Sequence, residues 1–284
     1  MQPQTKRVHA VVPWPFRIAT WIILSLFAVF TLYPLLWVAY TSFKTQPEIM
    51  RSLTALPESW TLDNYRNAWE LGEFAGLFYN SFIYSIVTTV FVVLLAVSAG
   101  FAFAKIPTRS SKLWYSFFIV GLLVTISSSI VPIFVAETWL GLDNTRAGII
   151  VPYVAFNISF AVYLAVAFIG DIHDEVIESA KLDGASYFGI FRRIVLPMSR
   201  PIITTIAIFT FHACWVEYVL VFMLSSDSSI RTVQVGVSLL NGRLAFNYGF
   251  LFAAIVIATI PLFILFIFFR KQLQAGFSMG AVKG

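Results

Sequence analysis

Residues 77–104 read LFYNSFIYSIVTTVFVVLLAVSAGFAFA, a stretch of 28 residues without a charged side chain. A helix needs about 20 apolar residues to cross the hydrocarbon layer of a bilayer. Lipid offers no hydrogen-bond partners, so a segment at that depth must satisfy its backbone groups within its own helix. The stretch therefore predicts a membrane-spanning helix.

Five further apolar stretches flank this one along the chain. The six predicted spans cover residues 18–43, 77–104, 113–136, 147–170, 202–224 and 244–269. Among them, the fifth is the one that contains an acid and a histidine, Glu217 and His212. We therefore predict an all-α, polytopic membrane protein with six transmembrane helices, preceded by residues 1–17 and followed by a tail over residues 270–284.

The composition of the whole chain agrees with this class of protein. Of 284 residues, 59% are hydrophobic and 12% are charged, which is more apolar surface than a soluble core of this size can bury. The net charge of +5 comes from sparse charges, so it does not indicate nucleic-acid binding. A single cysteine excludes an intramolecular disulfide, and three scattered histidines lack metal-ligand spacing. We expect no catalytic residue and no metal site on this chain.

Basic residues are distributed unevenly between the predicted loops. With residues 1–17 in the cytoplasm, 13 Lys and Arg side chains fall on the cytoplasmic side and 6 on the opposite side. This bias follows the positive-inside rule, so we expect both termini in the cytoplasm. Lys6, Arg7 and Arg17 precede an apolar run that is longer than a signal-peptide core, and we interpret this run as a retained helix.

Residues 171–200, between the fourth and fifth spans, have the pattern of two short helices. The first is predicted from Asp174 to Leu182, and Gly184 can end it. Its N-terminal part is rich in carboxylates that favour the helix dipole, namely Asp174, Glu175 and Glu178.

The second short helix is predicted to begin at an N-cap, Ser186, and to end at Pro197. Apolar residues recur in it at helical spacing, at Tyr187, Phe191 and Ile194. Two short helices joined by a glycine turn would form a compact docking surface. An ordinary solvated loop is the alternative, because charged helices are common at cytoplasmic surfaces.

This loop resembles the cytoplasmic signature of permeases of bacterial ATP-binding-cassette importers. The matching sequence is Glu178-Ser179-Ala180-Lys181-Leu182-Asp183-Gly184-Ala185, with Phe191, Ile194, Pro197 and Pro201 downstream. The resemblance implies a coupling helix that enters a cleft on a separate ATPase subunit, with Glu178 pairing with that subunit. It assigns ATPase coupling to Glu178, Ser179, Ala180, Asp183, Gly184, Ala185, Phe191 and Pro197.

Short matches elsewhere resemble the carbohydrate-importing branch, in particular the smaller permease of maltose-type systems. They are Ser42-Phe43-Lys44, Leu62-Asp63-Asn64-Tyr65, Asn80-Ser81, Gly141-Leu142-Asp143-Asn144-Thr145, Trp215-Val216-Glu217-Tyr218 and Gly280-Ala281-Val282-Lys283-Gly284. The chain departs from this branch at His173, Ser179 and Val216, where the branch often has Pro, Ala and Asn. The particular sugar or polyol is therefore not assigned from the sequence.

The resemblance also implies a complete transporter around this chain. It would contain a second permease, two ATPase subunits that bind ATP and Mg²⁺, and an extracytoplasmic substrate-binding protein, all at the bacterial inner membrane. No P-loop motif occurs here, so we expect no cofactor on this chain itself. The small residues of the tail predict disorder for the isolated segment, whereas the resemblance implies its insertion between the ATPase subunits.

Two groups of residues are candidates for contact with the transported molecule or its carrier. Candidates for the translocation path are Trp37, Tyr40, Trp215, Glu217 and Tyr218. The outer loop between the fifth and sixth spans covers residues 225–248, and its candidates for contact with the binding protein are Arg231, Gln234, Asn241 and Arg243. Interfacial anchoring is the alternative for Trp37 and Tyr40, and a buried polar link between helices is the alternative for Glu217.

Two other classes of function are alternatives to an importer permease. In an ion-coupled secondary transporter or channel, Glu217 would be the titrating group. A membrane enzyme is disfavoured because H-E-x-x-H and G-x-S-x-G motifs are missing from the sequence.

Overall fold

The computed structural model describes residues 13–106, 108–243 and 247–281, with backbone alone over 241–243 and 271–281. Throughout these ranges the secondary structure is helical and contains no β-strand, which confirms the predicted all-α class. The α-helices are α1 (Trp14–Thr41), α2 (Gln46–Arg51), α3 (Asp63–Leu71), α4 (Phe74–Lys105), α5 (Ser111–Gly121), α6 (Ile126–Leu140), α7 (Arg146–Gly170), α8 (Asp174–Leu182), α9 (Tyr187–Ile190), α10 (Leu196–Met198), α11 (Arg200–Val216), α12 (Val219–Leu224), α13 (Val233–Arg243) and α14 (Tyr248–Ala281). A π-helical turn, Phe191–Val195, joins α9 to α10, and a 3₁₀ turn, Ser228–Ile230, precedes α13.

Four helices of the described chain are each long and apolar enough to cross a membrane. They are α1, α4, α7 and the part of α14 from Tyr248 to Arg270. They coincide with the first, second, fourth and sixth predicted spans. The backbone of α14 remains helical as far as Ala281, so the last helix continues beyond the sixth predicted span into the tail. Residues 1–12 and 282–284, including Lys6, Arg7 and Lys283, lie outside the described residues.

One sharp bend interrupts the third predicted span, and a second lies at Ser199, just before the fifth. Helices α5 and α6 meet at 103°, and the helical run Tyr187–Met198 meets α11 at 73°. If each bent pair forms one span, the described residues contain six. The prediction that Pro197 ends the second loop helix is wrong, because the helix continues through Met198 and turns at Ser199.

The largest helix–helix contact of the described chain joins α4 to α7. Small residues allow this contact, since a Cβ atom added to Gly100 would lie 2.7 Å from Cβ of Ala165. Close approach of backbones is the usual way in which helices associate in lipid, where burial of apolar surface gives little driving force. Helix α11 packs against both α4 and α7 and completes this three-helix core.

Helix α4 connects two sets of loops at its opposite ends. Near its start, Nδ2 of Asn80 donates to the carbonyls of Ser229 (2.7 Å) and Arg231 (3.0 Å), which follow α12. At its end, Nζ of Lys105 donates to the carbonyl of Ile172 (2.5 Å), which precedes α8. A helix rises about 1.5 Å per residue, so Asn80 and Lys105 lie roughly 37 Å apart. The segment 225–231 and the segment 171–199 therefore lie at opposite ends of the bundle.

The packing of Gly100 predicts a difference between two glycines of the same helix. Gly100→Ala should destabilise the protein by about 1–3 kcal/mol, because the added methyl group overlaps Ala165. Gly76→Ala is the matched control, since a Cβ atom there would meet nothing within 4 Å. The measurement is thermal unfolding of the detergent-solubilised protein. Equal midpoints for the two variants would contradict the close α4–α7 contact.

Candidate functional site

The docking loop, residues 171–199, is organised around the turn after α8. The N–H of Ala185 donates to the carbonyl of Ala180 (3.0 Å), and the N–H of Gly184 donates to that of Lys181 (3.0 Å). This pair of bonds is the Schellman ending of a helix, which requires a left-handed residue at its second-to-last position. Gly184 occupies that position with φ of +80°. The Asp-Gly-Ala sequence therefore has a conformational role as well as the coupling role implied by resemblance.

One face of the docking loop is fixed to the helix core. Ile177 and Ala180 of α8 are buried in the same apolar cluster as Phe101 of α4 and Ile169 of α7. In the second part of the loop, the ring of Phe191 lies 5.5 Å from the ring of Phe101. The loop is thus a packed extension of the bundle and not a free connector.

The other face of the docking loop is exposed. Leu182 and Phe188 are 89% and 70% exposed, and the side chains of Glu178 and Ser179 also face outward. The Glu178 carboxylate accepts no hydrogen bond from any residue that the structure describes. A carboxylate beside large exposed apolar side chains is typical of a protein-binding surface.

The remaining predicted coupling residues lie around this surface. Asp183 is exposed and caps the end of α8, and Ala185 is exposed immediately after the turn. Ser186 forms the predicted N-cap, because its Oγ accepts from the N–H of Gly189 at 3.2 Å. Pro197 is exposed within α10.

Lys105 is a site residue that the sequence indicates only as one of the 13 basic residues on the predicted cytoplasmic side. Its Nζ donates to the carbonyls of Gly170 (3.1 Å) and Ile172 (2.5 Å) and to Oδ1 of Asp174 (2.6 Å). The hydrogen bond and the positive charge of Lys105 lower the pKa of Asp174 from its ordinary value. These partners lie 65 to 69 residues away in the sequence, and no local pattern indicates them.

Glu217 lies at a break in the predicted fifth span, between α11 and α12. Its Oε1 accepts from the N–H of Leu220 (2.8 Å), and its Oε2 accepts from the N–H of Val221 (3.3 Å). Oε2 also accepts from the hydroxyl of Tyr153 on α7 (3.0 Å). The carboxylate therefore caps the N-terminus of α12 and links two helices, which is the packing alternative stated above. Its predicted place on the translocation path stays a prediction.

The aromatic neighbours of Glu217 differ in exposure. Trp215 is buried, and its Nε1 donates to the carbonyl of Ala258 on α14 at 3.1 Å. Tyr218 is half-buried and accepts at its hydroxyl from Oγ of Ser238 at 3.1 Å. This geometry favours packing for Trp215, whereas Tyr218 lies beside α13.

Trp37 and Tyr40 anchor the segment after α2. Nε1 of Trp37 donates to the carbonyl of Leu53 (2.8 Å), and the hydroxyl of Tyr40 donates to that of Thr54 (2.9 Å). The ring of Trp37 also packs edge-on against Phe252 of α14 at 5.1 Å. These contacts favour anchoring over stacking on a sugar, and the path assignment stays a prediction.

The outer loop is bound tightly to the bundle through Asn80. Besides its two bonds to loop carbonyls, Asn80 accepts at Oδ1 from Nη2 of Arg146 at 3.2 Å. Arg231 is half-buried and directs Nη2 to the carbonyl of Ser226 at 2.9 Å. Gln234 is half-buried at the start of α13. Asn241 and Arg243, which were also predicted to face the binding protein, have side chains outside the described part of the structure.

Among the described residues, no group of three or more His, Cys, Asp or Glu side chains could hold a metal ion. The contacts of the chain are thus those of packed helices and two opposed loop surfaces. Neither surface contains a cluster of residues arranged for metal-dependent chemistry within the described ranges.

Known proteins that this chain resembles in sequence or fold are components of transport systems. Residues 70–278 match the family described as binding-protein-dependent transport system inner membrane component. A probable ABC transporter permease of Bacillus subtilis is 33% identical over 94% of this chain and 88% of that protein. The diacetylchitobiose uptake system permease of Streptomyces coelicolor is 32% identical over 92% and 87%. A bacterial ABC transporter involved in alginate import has the same fold, with a TM-score of 0.79 and 22% identity over 95% of this chain and 99% of that one.

The capping role of Glu217 predicts that two variants lose stability to different extents. Glu217→Ala should lower the free energy of unfolding by about 0.5–2 kcal/mol, because two N–H groups of α12 lose their acceptor. Tyr153→Phe removes one hydroxyl and should cost less. Thermal unfolding of the purified protein measures both. An alanine variant as stable as the wild type would show that the cap contributes nothing.

Proposed function

Because the chain belongs to the family of binding-protein-dependent transport system inner membrane components, we propose that it is a permease subunit of an ATP-driven sugar importer. It would form half of the translocation path for a sugar or related polyol, together with a second permease. The chitobiose permease among its relatives supports a carbohydrate as the substrate class. ATP and Mg²⁺ would be bound by two separate ATPase subunits.

The observation that carries this proposal is the two-faced docking loop. Its inner face packs against α4 and α7, while its outer face presents Glu178, Leu182 and Phe188. A carboxylate on such a surface can make a charge-assisted hydrogen bond with a basic group of the ATPase. The apolar side chains beside it would bury surface in the same contact, which favours a protein partner over solvent.

The opposite end of the bundle supports a second docking surface. The segment 225–231 is bound to α4 through Asn80, and the N–H of Asp227 donates to Oδ1 of Asn144 (2.8 Å), just before α7. It is therefore a fixed surface and not a loose linker. The extracytoplasmic binding protein would contact this end. ATP binding would move the docking loop, and the helices between the two ends would change which side of the path is open.

An ion-coupled transporter is the rival, with Glu217 as its titrating group. The three donors around the Glu217 carboxylate favour a fixed structural role, because protonation would weaken all three bonds. Uptake by the reconstituted chain with an ion gradient and without ATP would favour the rival. Normal transport by a Glu217→Gln variant would exclude a required ionised state.

Charge reversal at Glu178 tests the contact with the ATPase. Glu178→Lys should abolish co-purification of the ATPase subunits and therefore ATP-driven uptake, because it places like charges at the contact. Asp171→Lys is the control, since Asp171 is exposed in the same loop without a side-chain hydrogen bond to any described residue. Undiminished association of the Glu178 variant would refute the proposed coupling role.

Cysteine labelling tests the proposed orientation. The native Cys214 is buried, so it should contribute little background. Ser228→Cys should react with an impermeant maleimide on intact cells, whereas Arg192→Cys should react only after permeabilisation. The two residues are exposed and lie at opposite ends of the bundle. The reverse pattern would show that the docking loop faces outward.

A further inference from the structure

The ammonium group of Lys105 lies where α4, α7 and α8 meet, and we propose that Lys105 transmits movement of the docking loop to α4. This inference rests on the proposed function, because it identifies how a loop that binds the ATPase at Glu178 would displace the membrane helices. Lys105 is assigned as a positioning residue and not as a contact to the ATPase or to the sugar.

Three acceptors surround the ammonium group. They are the carbonyl of Gly170 at the end of α7, the carbonyl of Ile172 in the following turn, and the carboxylate of Asp174 at the start of α8. An ammonium group has three N–H donors, so each donor has one partner. The Lys105 side chain is 4% exposed, whereas that of Asp174 is 77% exposed.

The location of this contact favours a link between α4 and α8 that persists when the helices move. A cation at the C-terminal end of α7 interacts favourably with the helix dipole. A buried ammonium group that lost its partners would remain as an uncompensated charge, which is strongly unfavourable. The three bonds should therefore hold together while the surrounding helices move.

Other contacts of α8 are less suited to transmit a directed movement. Ile177 and Ala180 bury apolar surface on the core, and such contacts have no preferred direction. A cleft of about 390 Å³ lies between α8, the end of α4 and the start of α5. The residues that line it include Lys105, Asp174, Thr108, Ser111 and Lys112. The cleft separates α8 from α5, and the Lys105–Asp174 pair is the ion pair that joins α8 to α4 among the described residues.

Spin-label distances in the assembled transporter test this link between α4 and α8. One label is placed on α4 at Ser98→Cys and one on α8 at Glu175→Cys, both at exposed positions. In the otherwise wild-type complex, ATP with orthovanadate should leave the distance distribution unchanged, because α4 and α8 move as one unit. In Lys105→Met and Asp174→Asn backgrounds, the same addition should shift or broaden the distribution. Lys112→Met, in the other wall of the cleft, should behave as the wild type.

ATPase association is measured on the same preparations, to distinguish loss of the link between α4 and α8 from misfolding of the variant. Co-purification of the ATPase should remain at the wild-type level in both variants. The distance between the α4 and α8 labels should nevertheless change when ATP and orthovanadate are added. Asp174→Asn keeps both carbonyl partners of Lys105 and an exposed position, so it remains informative if Lys105→Met does not fold.

Three results would overturn the inference. They are an ATP response identical to the wild type in both variants, an equal change of distance already without nucleotide, and loss of ATPase association in both variants. Retained association of the Glu178→Lys variant would instead refute the proposed coupling role of the docking loop, so the two failures are distinguishable.

Discussion

Close packing of α4 against α7 positions every functional element of this chain. Lipid provides little driving force for helix association, so the contact depends on short side chains such as Gly100 and Ala165 that let the backbones approach. Helix α4 then reaches both ends of the bundle, where Asn80 binds the outer loop and Lys105 binds the base of the docking loop. The two surfaces proposed to contact protein partners are thus fixed to the same helix pair.

Breaks in the apolar helices expose backbone groups that lipid cannot satisfy. At the bend between α5 and α6, Thr125 accepts at its side chain from the N–H of Ser128 at 3.4 Å. At the break before α12, the carboxylate of Glu217 accepts from two N–H groups. The acid that the sequence places inside a span therefore has a structural reason to be there. Its position also explains why an acid in an apolar stretch does not by itself indicate ion transport.

Local sequence patterns predicted those helices whose length and ends depend on neighbouring residues. The length of apolar stretches identified the long helices, and α8 begins and ends where its first-turn acids and Gly184 indicate. Pro197 was misleading, because the chain tolerates it within a helical run and turns two residues later at Ser199. Composition predicts continuous third and fifth spans, whereas the structure breaks them at residues 122–125 and 217–218, because such breaks change the hydropathy of the segment little.

The sequence by itself determined the class of protein, the number of apolar segments and the motif of the docking loop, because membrane thickness and helix-ending chemistry act on neighbouring residues. Tertiary structure alone decided that Lys105 meets Asp174, that Tyr153 meets Glu217 and that Trp215 faces the interior. Each of these contacts joins residues more than 40 positions apart. Their partners depend on how helices cross, which no spacing along a single helix records.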